Sequence, residues 1–259
     1  MKTKLFLLSL VVVMFAACEN PDDPTNPMNE RASAEGSAKV SNHAGRTSCE
    51  YVQLWAGGPK WAKFNVGAII TDYAQHMNED NNPNQASYNT AILGGLYAWN
   101  NPNLNGRDFK DGYLITGNDT IIWSVDIATG ISDIASALWG NNWKTPTKDQ
   151  LSHLQDKTYT TWTWCDGSTT QYVEGCTLKG YKVSGKGVYA DLSIFLPAAG
   201  YIHYSNGEVA DAGNIGNYWS ASEADSNHAY YLHFSSYDRN ITNYYYRCLG
   251  RSVRAVLAE

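Results

Sequence analysis

The sequence lacks a basic stripe and a metal-ligand spacing, and each absence excludes a class of function. Lys and Arg number 19 against 25 Asp and Glu, which leaves a net charge of −6. Proteins that bind nucleic acid concentrate basic residues on one face, so nucleic acid is not an expected partner. No CxxC or His/Cys spacing occurs and the acidic residues are scattered, so no metal and no other cofactor is predicted.

The N-terminus has the pattern of an export signal. Lys2 and Lys4 precede an apolar run over residues 5–17, which is too short to cross a bilayer, so residues 1–17 are predicted to be a signal peptide. The small residues directly before Cys18 resemble a bacterial lipobox, which predicts lipidation of Cys18. The alternative is an ordinary cleavage site followed by a chance cysteine.

Residues 18–48 are rich in proline, acids and small polar residues, which cannot bury enough apolar surface to order the backbone. They are predicted to form a flexible lipidated tether. The acidic residues beside Cys18 resemble the surface-export signals of some Gram-negative lipoproteins. We therefore expect a protein that is lipid-anchored in the outer membrane at the cell surface, with inner-leaflet retention as the alternative.

Residues 49–259 have the length of one domain, and its predicted class is α+β. Asp133 or Ser132 can cap a first helix that ends before Gly140, and Thr147 with Gln150 forms a capping box for a second. The remaining pattern consists of short alternating strands, which favours antiparallel sheets. The predicted strands cover residues 50–55, 60–66, 96–99, 161–164, 180–183, 193–196, 230–234 and 252–257.

Four cysteines remain in this domain once Cys18 is set aside. They are Cys49, Cys165, Cys176 and Cys248. In an oxidising compartment four cysteines allow three pairings, and the sequence does not choose between them.

Six short motifs follow one another through the domain and carry a resemblance. They are residues 61–68 (WAKFNVGA), 96–99 (LYAW), 139–147 (WGNNWKTPT), 194–201 (IFLPAAGY), 218–222 (YWSAS) and 252–256 (SVRAV). Together they resemble the Fibrobacter succinogenes major paralogous domain family, and the match covers nearly the whole domain. The resemblance implies a C-type-lectin-like fold with two helices and short, loop-rich antiparallel sheets.

Enzymatic activity is not expected. The segment at residues 143–147 also resembles one in formylglycine-generating enzymes, whose chemistry depends on reactive cysteines. Cys248 is the only cysteine late in the chain, and the sequence places no base or second thiol beside it. The sequence places no nucleophile or carboxylate beside His228 and His233, so they are interpreted as ordinary surface or hydrogen-bonded residues rather than catalytic bases. The calcium-binding tripeptides of animal C-type lectins are absent.

The composition of the C-terminal segment is unusual. Residues 224–256 contain no Lys, Glu, Gln, Met or Trp. These five residue types cannot be reached by changing only the adenines of an AAC or AAT codon, whereas the Asn, Tyr, His, Asp, Ser and Thr that fill the segment can. In this respect the chain resembles the variable proteins of diversity-generating retroelements, in which a reverse transcriptase rewrites the end of the gene. The resemblance implies a variable segment over residues 222–251.

Alternation within this segment predicts which residues face a ligand. It puts Tyr230, Leu232 and Phe234 on the core side, and Tyr231, His233 and Ser235 outward. Trp219 is interpreted either as a core anchor or as a platform for a sugar ring. The predicted ligand-binding residues are Trp219, Tyr231, His233, Ser235, Tyr237, Asp238, Asn240, Thr242, Asn243, Tyr244, Tyr245 and Tyr246.

These observations predict a surface-displayed lipoprotein that binds an extracellular protein or glycan through a diversified Tyr-rich face. Tyrosine supplies large, rigid contact area at low entropic cost, which suits such a face. The alternative is a fixed carbohydrate-binding or pilus-associated surface module on the same scaffold. A merely structural, aromatic-lined sheet edge would explain the tyrosines without any ligand.

Overall fold

The computed structural model describes residues 31–43, 45–69, 90–105, 109–110, 113–116, 119–121, 132–167, 178–202 and 208–258. The predicted signal peptide, Cys18 and Cys176 lie outside these ranges. In the described part of the chain, no helix is long and apolar enough to cross a membrane.

Strands account for 44% and helices for 13% of the described structure. The strands are β1 (Glu35–His43), β2 (Arg46–Gln53), β3 (Lys60–Ala62), β4 (Tyr97–Ala98), β5 (Asn101–Asn105), β6 (Phe109–Lys110), β7 (Tyr113–Thr116), β8 (Asp119–Ile121), β9 (Trp143–Lys144), β10 (Thr161–Asp166), β11 (Lys179–Ser184), β12 (Ser193–Pro197), β13 (Tyr201–Ile202), β14 (Val209–Ala210), β15 (Gly216–Glu223), β16 (His228–Phe234), β17 (Arg239–Asn240), β18 (Tyr244–Tyr246) and β19 (Val256–Leu257). The helices are α1 (Thr90–Leu93), α2 (Ile134–Trp139) and α3 (Lys148–Gln155), with a 3₁₀ turn at Gly187–Tyr189.

The predicted α+β, C-type-lectin-like class is wrong, because the fold is β-rich with curled antiparallel sheets. The two helix signals themselves are confirmed. The Asp133 carboxylate accepts from the backbone N–H of Ser136 at the start of α2, and Thr147 and Gln150 form the expected capping box of α3. These helices are only 6 and 8 residues long. Helices this short act as connections between strands and do not form a layer of their own.

One sheet joins the two ends of the described chain, in the strand order β1-β2-β3-β19-β9. β1 pairs antiparallel with β2 and buries Val40. The predicted tether over residues 18–48 therefore extends too far, since the folded domain already includes β1. A polar sequence such as that of β1 is ordered here by its ladder of hydrogen bonds to β2 rather than by its own apolar content.

The remaining sheets are small. β10, β11 and β12 form an antiparallel meander, and β13 pairs with β14. Strands β4 to β8 form two further small sheets, β4-β5 and β6-β7-β8. The C-terminal sheet places β16 between β15 on one side and both β17 and β18 on the other.

The C-terminal sheet is covered on both faces by buried clusters. Tyr218, Leu232 and Phe234 pack into one cluster with α3 and the β10–β12 meander. Trp219 and Tyr231 pack into the other, with α2 and the strands at the two ends of the chain. Each large side chain removed from water contributes about 2 kcal/mol. This double coverage positions β16 rigidly beneath its edge strands.

Arg254 links two sheets from within the core. It is fully buried, and its Nη1 and Nη2 donate to the carbonyl oxygens of Ala62 at 2.9 Å and Phe195 at 2.7 Å. The charge is therefore hydrogen-bonded to two backbone acceptors.

No disulfide joins the three cysteines of the described chain. Cys49 and Cys165 are buried and Cys248 is half-buried. Burial raises the pKa of Cys248 to about 12, which keeps its thiol protonated and poorly reactive.

Candidate functional site

Three consecutive tyrosines form the exposed edge of the C-terminal sheet. Tyr244, Tyr245 and Tyr246 make up β18 and are 54%, 39% and 36% exposed. They pair with Tyr230, Ala229 and His228 of β16. Because side chains alternate along a strand, Tyr244 and Tyr246 share one side of the sheet, and Tyr245 lies on the other.

The first side carries a contiguous group of rings, which we call the aromatic patch: His228, Tyr230, Tyr244 and Tyr246. The His228 ring centre lies 4.5 Å from that of Tyr246 and 5.7 Å from that of Tyr244. Tyr230 meets Tyr244 edge to face at 5.9 Å. The Nζ of Lys148 lies 3.8 Å above the Tyr230 ring, which adds a cation at the border of the patch.

The loop between β16 and β18 carries further exposed side chains along the same edge of the sheet. Tyr237 at its tip is 91% exposed, and Asp238 and Thr242 are also exposed. Asn240 is half-buried, and its Oδ1 accepts from the backbone N–H of Thr242 at 2.6 Å and from its Oγ1 at 2.7 Å. Buried Ile241 anchors the middle of the loop. The exposed side chains are therefore presented from a shaped loop.

The far end of β18 is tied to the β15–β16 turn by Arg247. Its Nη2 lies 2.9 Å from the Glu223 carboxylate and also donates to the Asp225 carbonyl. Its guanidinium carbon lies 4.3 Å from the centre of the Trp99 ring. These contacts hold the tyrosine edge against the rest of the domain.

His228 and Asp225 form a hydrogen bond at this turn, with Nδ1 2.8 Å from Oδ1. The pKa of Asp225 is lowered by the backbone N–H of Asn227 and by His228. Asp225 Oδ1 also accepts from the backbone N–H groups of Asn227 and His228, so these contacts order the turn. No group of three His, Cys, Asp or Glu side chains within the described ranges could hold a metal ion.

The opposite side of the C-terminal sheet encloses a small pocket, which we call the Arg251 pocket. Its volume is about 220 Å³. Tyr245 of β18 and Tyr231 of β16 form part of its wall, and Arg251 is 3% exposed. The lining residues are Tyr201, Ile215, Asn217, Tyr231, His233, Tyr245, Leu249 and Arg251.

Burial dominates the electrostatics of this pocket. Desolvation lowers the pKa of Arg251 to about 10, so the guanidinium is still charged at neutral pH. Desolvation also lowers the pKa of His233, with a further lowering from Arg251 and an opposing effect from Asp238. His233 Nδ1 lies 3.0 Å from the Oδ1 of Asn217. At neutral pH the pocket therefore contains one cation, Arg251, and a neutral imidazole.

Three of the predicted ligand-binding residues are buried. Trp219 is 0% exposed and its Nε1 donates to the Tyr97 carbonyl at 2.8 Å, so it is a core anchor with no surface to offer a sugar. Tyr231 and Ser235 are buried, and His233 is half-buried. Tyr230, expected in the core, is half-buried. The alternating pattern predicts that one face of β16 is exposed to solvent, whereas buried clusters pack against both faces of this strand.

The structure brings most of the other predicted residues together around β18. Tyr231 and His233 join the Arg251 pocket, and Ser235 and Trp219 join neither surface. The exposed or half-buried residues at the edge are Tyr237, Asp238, Asn240, Thr242, Asn243, Tyr244, Tyr245 and Tyr246.

Sequence reasoning missed Arg251, Tyr201 and Asn217, and it did not include His228 and Tyr230 in the face. Arg251 did carry a signal, because a basic residue directly before a predicted buried strand needs a reason to be there. Tyr201 and Asn217 carried none, since only the tertiary fold brings β13 and β15 to this pocket.

Comparison with known proteins gives one partial match. A family model described as a domain of unknown function (DUF8237) matches residues 179–256. This range runs from β11 to the start of β19 and contains both the aromatic patch and the Arg251 pocket. No curated protein and no solved structure matches the chain.

Proposed function

We propose that the chain is a surface-displayed lipoprotein that binds an extracellular protein or glycan through the aromatic patch and the Tyr237 loop. Its segment at residues 222–251 is rewritten by a diversity-generating retroelement, and Cys18 anchors it in the outer membrane. The chain between Cys18 and β1 is the tether that holds the domain away from the lipid.

The observation that carries this proposal is the concentration of exposed aromatics at one edge. Four of the six exposed large hydrophobic side chains in the described part of the protein are Tyr237, Tyr244, Tyr245 and Tyr246. Exposed apolar surface gathered in one place is typical of interaction sites. Tyrosine in particular combines a large apolar ring with a hydroxyl group, which suits contact with varied ligands.

A merely structural sheet edge accounts less well for these rings. Edge strands in folded proteins are blunted by charge or proline to prevent unwanted pairing. β18 has neither, and instead leaves three ring systems partly in water. An edge of this kind is favoured where a partner covers it.

The division between buried and exposed positions supports diversification. The buried positions of the segment are mostly apolar. Apart from Glu223, its exposed positions hold Tyr, Asp, Ser and Thr, and its half-buried positions include the His and Asn residues; adenine changes in Asn codons produce all six of these types. The buried hydrophobic residues are Ala229, Tyr231, Leu232, Phe234, Ile241 and Leu249. Substitutions at exposed positions usually change stability by less than about 0.5 kcal/mol. The scaffold can therefore tolerate exchange of its exposed residues.

The alternative of a fixed carbohydrate-binding module keeps the same patch without diversification. It loses its strongest candidate platform, because Trp219 is buried. The exposed tyrosine rings remain available for stacking on a sugar, so a glycan is one of the two ligand classes to be tested.

The test uses cells that display the full chain. They are exposed to a glycan array and to immobilised mucin, fibronectin and laminin. We expect binding to at least one of these probes, and we expect replacement of Tyr237, Tyr244 and Tyr246 by Ala to abolish it. Val188→Ser is the matched control, since Val188 is 43% exposed and lies in the 3₁₀ turn outside the segment.

Surface labelling must show equal display of the three proteins. Binding that survives the triple substitution would mean that the face lies elsewhere. Loss of binding in Val188→Ser as well would point to a general effect on the domain rather than to the patch.

A further inference from the structure

Arg251 is a buried cation without an acidic partner in the described chain. It is 3% exposed, and no carboxylate of the described residues forms an ion pair with it. Two of its nitrogens, Nε and Nη1, have no hydrogen-bond partner. The guanidinium hydrogen-bonds to the Tyr231 side chain and lies against rings, with Cζ 3.5 Å from the centre of the Tyr231 ring and 4.8 Å from that of Trp219.

Arg254 shows how the same fold treats a structural arginine. It is equally buried, but it donates to the backbone carbonyls of Ala62 and Phe195. A buried charge is retained at a cost in stability unless hydrogen bonds or a counter-ion offset it. Two backbone carbonyls offset the charge of Arg254, whose Nε has no hydrogen-bond partner, whereas Arg251 has two unpartnered nitrogens and a hydrogen bond to the Tyr231 side chain. A buried arginine that lines a pocket with unpartnered nitrogens is typical of a site that receives its acceptor from a ligand.

We propose that the Arg251 pocket binds one carboxylate group of a ligand, with the Arg251 guanidinium as its counter-ion and Tyr245 closing over it. The proposal rests on the proposed function in one respect, which is that the carboxylate belongs to the ligand that covers the tyrosine edge. Asn217 and the tyrosines of the wall supply further polar groups around the bound oxygens.

The charge of the pocket favours a carboxylate over a phosphate group. Arg251 is its one cation among the described lining residues, and burial keeps the pKa of the neighbouring His233 below its usual value. One positive charge matches a monoanion, whereas a phosphate monoester carries nearly two negative charges at neutral pH. The planar guanidinium also matches the planar carboxylate.

The size of the pocket limits what enters it. Pockets for whole small molecules measure about 300–1,000 Å³, and this one measures about 220 Å³. It therefore accepts one group of a larger ligand. Two sources carry a suitable group: an acidic side chain of a protein, and the carboxyl group of a sugar acid.

The experiment is a calorimetric and NMR titration of the purified full chain with four small probes. N-acetyl-aspartate methylamide is compared with its asparagine counterpart, and methyl glucuronide with methyl glucoside. We expect saturable binding of at least one acid with a Kd of about 1 mM, and no saturation with its neutral counterpart. The acid that binds more tightly identifies the source.

Variants assign the binding to Arg251. We expect Arg251→Gln to weaken the acid about tenfold or more, and Arg251→Lys, which keeps the charge but loses the planar fork, to weaken it less. Arg239→Gln is the matched control, because Arg239 is half-buried on β17 and does not line the pocket. We expect it to bind like the unchanged chain.

The comparison of acid with neutral probe needs no variant, so it decides the question even if Arg251→Gln does not fold. No saturable binding of either acid, equal binding of the neutral probes, or undiminished affinity in folded Arg251→Gln would overturn the proposal. These small probes do not span the aromatic patch. A negative titration with intact tyrosine-dependent adhesion rejects only the pocket, and the reverse pattern rejects only the adhesive face.

Discussion

The guanidinium carbon of Arg251 lies 3.5 Å from the centre of the Tyr231 ring, nearer than to the ring of Trp219 at 4.8 Å or Tyr245 at 5.9 Å. Aromatic faces attract a cation without neutralising it. The charge is therefore held in place but is still available to an anion. Tyr231, which the sequence predicts to be a surface residue, is therefore buried beside Arg251 and lines the pocket.

The two buried arginines are expected to differ in their contributions to stability. Arg254→Met removes the two buried hydrogen bonds to the carbonyl oxygens of Ala62 and Phe195, so it should lower the free energy of unfolding by about 3 kcal/mol. Arg251→Met removes ring contacts and the hydrogen bond to Tyr231, but it also removes a buried charge that has no acidic partner in the described chain, so its effect should stay within about 1 kcal/mol. Urea denaturation of both variants checks this. A loss in Arg251→Met as large as that in Arg254→Met would show that Arg251 is structural.

Trp219 lies in the buried core and Tyr237 in the exposed loop, so substitutions at the two positions should differ in their effect on stability. Trp219→Ala should cost about 4 kcal/mol, because it empties a fully buried site and removes the hydrogen bond to Tyr97. Tyr237→Ala should change stability by less than about 0.5 kcal/mol, since the ring is 91% exposed. Thermal unfolding measures both. A folded and stable Trp219→Ala protein would contradict the assignment of Trp219 to the core.

His233 should make the domain sensitive to acid. Its folded pKa lies below the usual 6.5, mainly through burial and partly through Arg251, while Asp238 acts in the opposite direction. The folded state therefore favours the neutral ring. The resulting stability is present above pH 6.5 and is lost as the pH falls through the lower, folded pKa.

We therefore expect His233→Gln to lose less stability than the unchanged protein between about pH 7.5 and about pH 5. Melting temperatures at the two pH values give the comparison, and the difference between the two proteins removes the effect of other groups. An identical acid-induced loss in both would exclude His233 as a contributor.

Gly216 allows the Phe234 ring to lie across β15. A Cβ atom built at Gly216 would come within 2.0 Å of the Cζ of Phe234. Gly216→Ala should therefore destabilise the domain by about 2 kcal/mol, because the ring must leave its place in the core. Denaturant titration checks the value. If the paired substitution of Gly216→Ala with Phe234→Leu is no more stable than expected from the two single changes, the clash is not the cause.

Short-range signals in the sequence predicted the helices more accurately than they predicted the fold class. The caps at Asp133 and Thr147 are short-range features, so both helices were found. β1 was missed, because its polar sequence is ordered only by pairing with β2. The predicted α+β class was wrong, because the presence of two helix signals does not reveal how long the helices are or whether they pack as a separate layer.

The exposed part of the candidate site could be predicted, because its amino-acid composition indicated which residues lie at the surface. The consecutive tyrosines of β18 and the polar loop before it were identified as surface. Tyr231 and Ser235 were misplaced, because period-2 alternation marks two faces but not which of them is covered. The residues that line the Arg251 pocket are spread along the chain from Tyr201 to Arg251. No local sequence pattern could predict that they lie close together in the fold.

Sequencing the end of this gene across many sister isolates, together with its flanking DNA, decides between a diversified face and a fixed one. We expect substitutions in adenine-derived codons at exposed positions such as Tyr237 and residues 244–246, with Leu232, Phe234 and Ile241 unchanged, and a template repeat beside a reverse transcriptase gene. Substitutions spread equally over buried and exposed positions, or an invariant segment without a template, would contradict a diversified binding face.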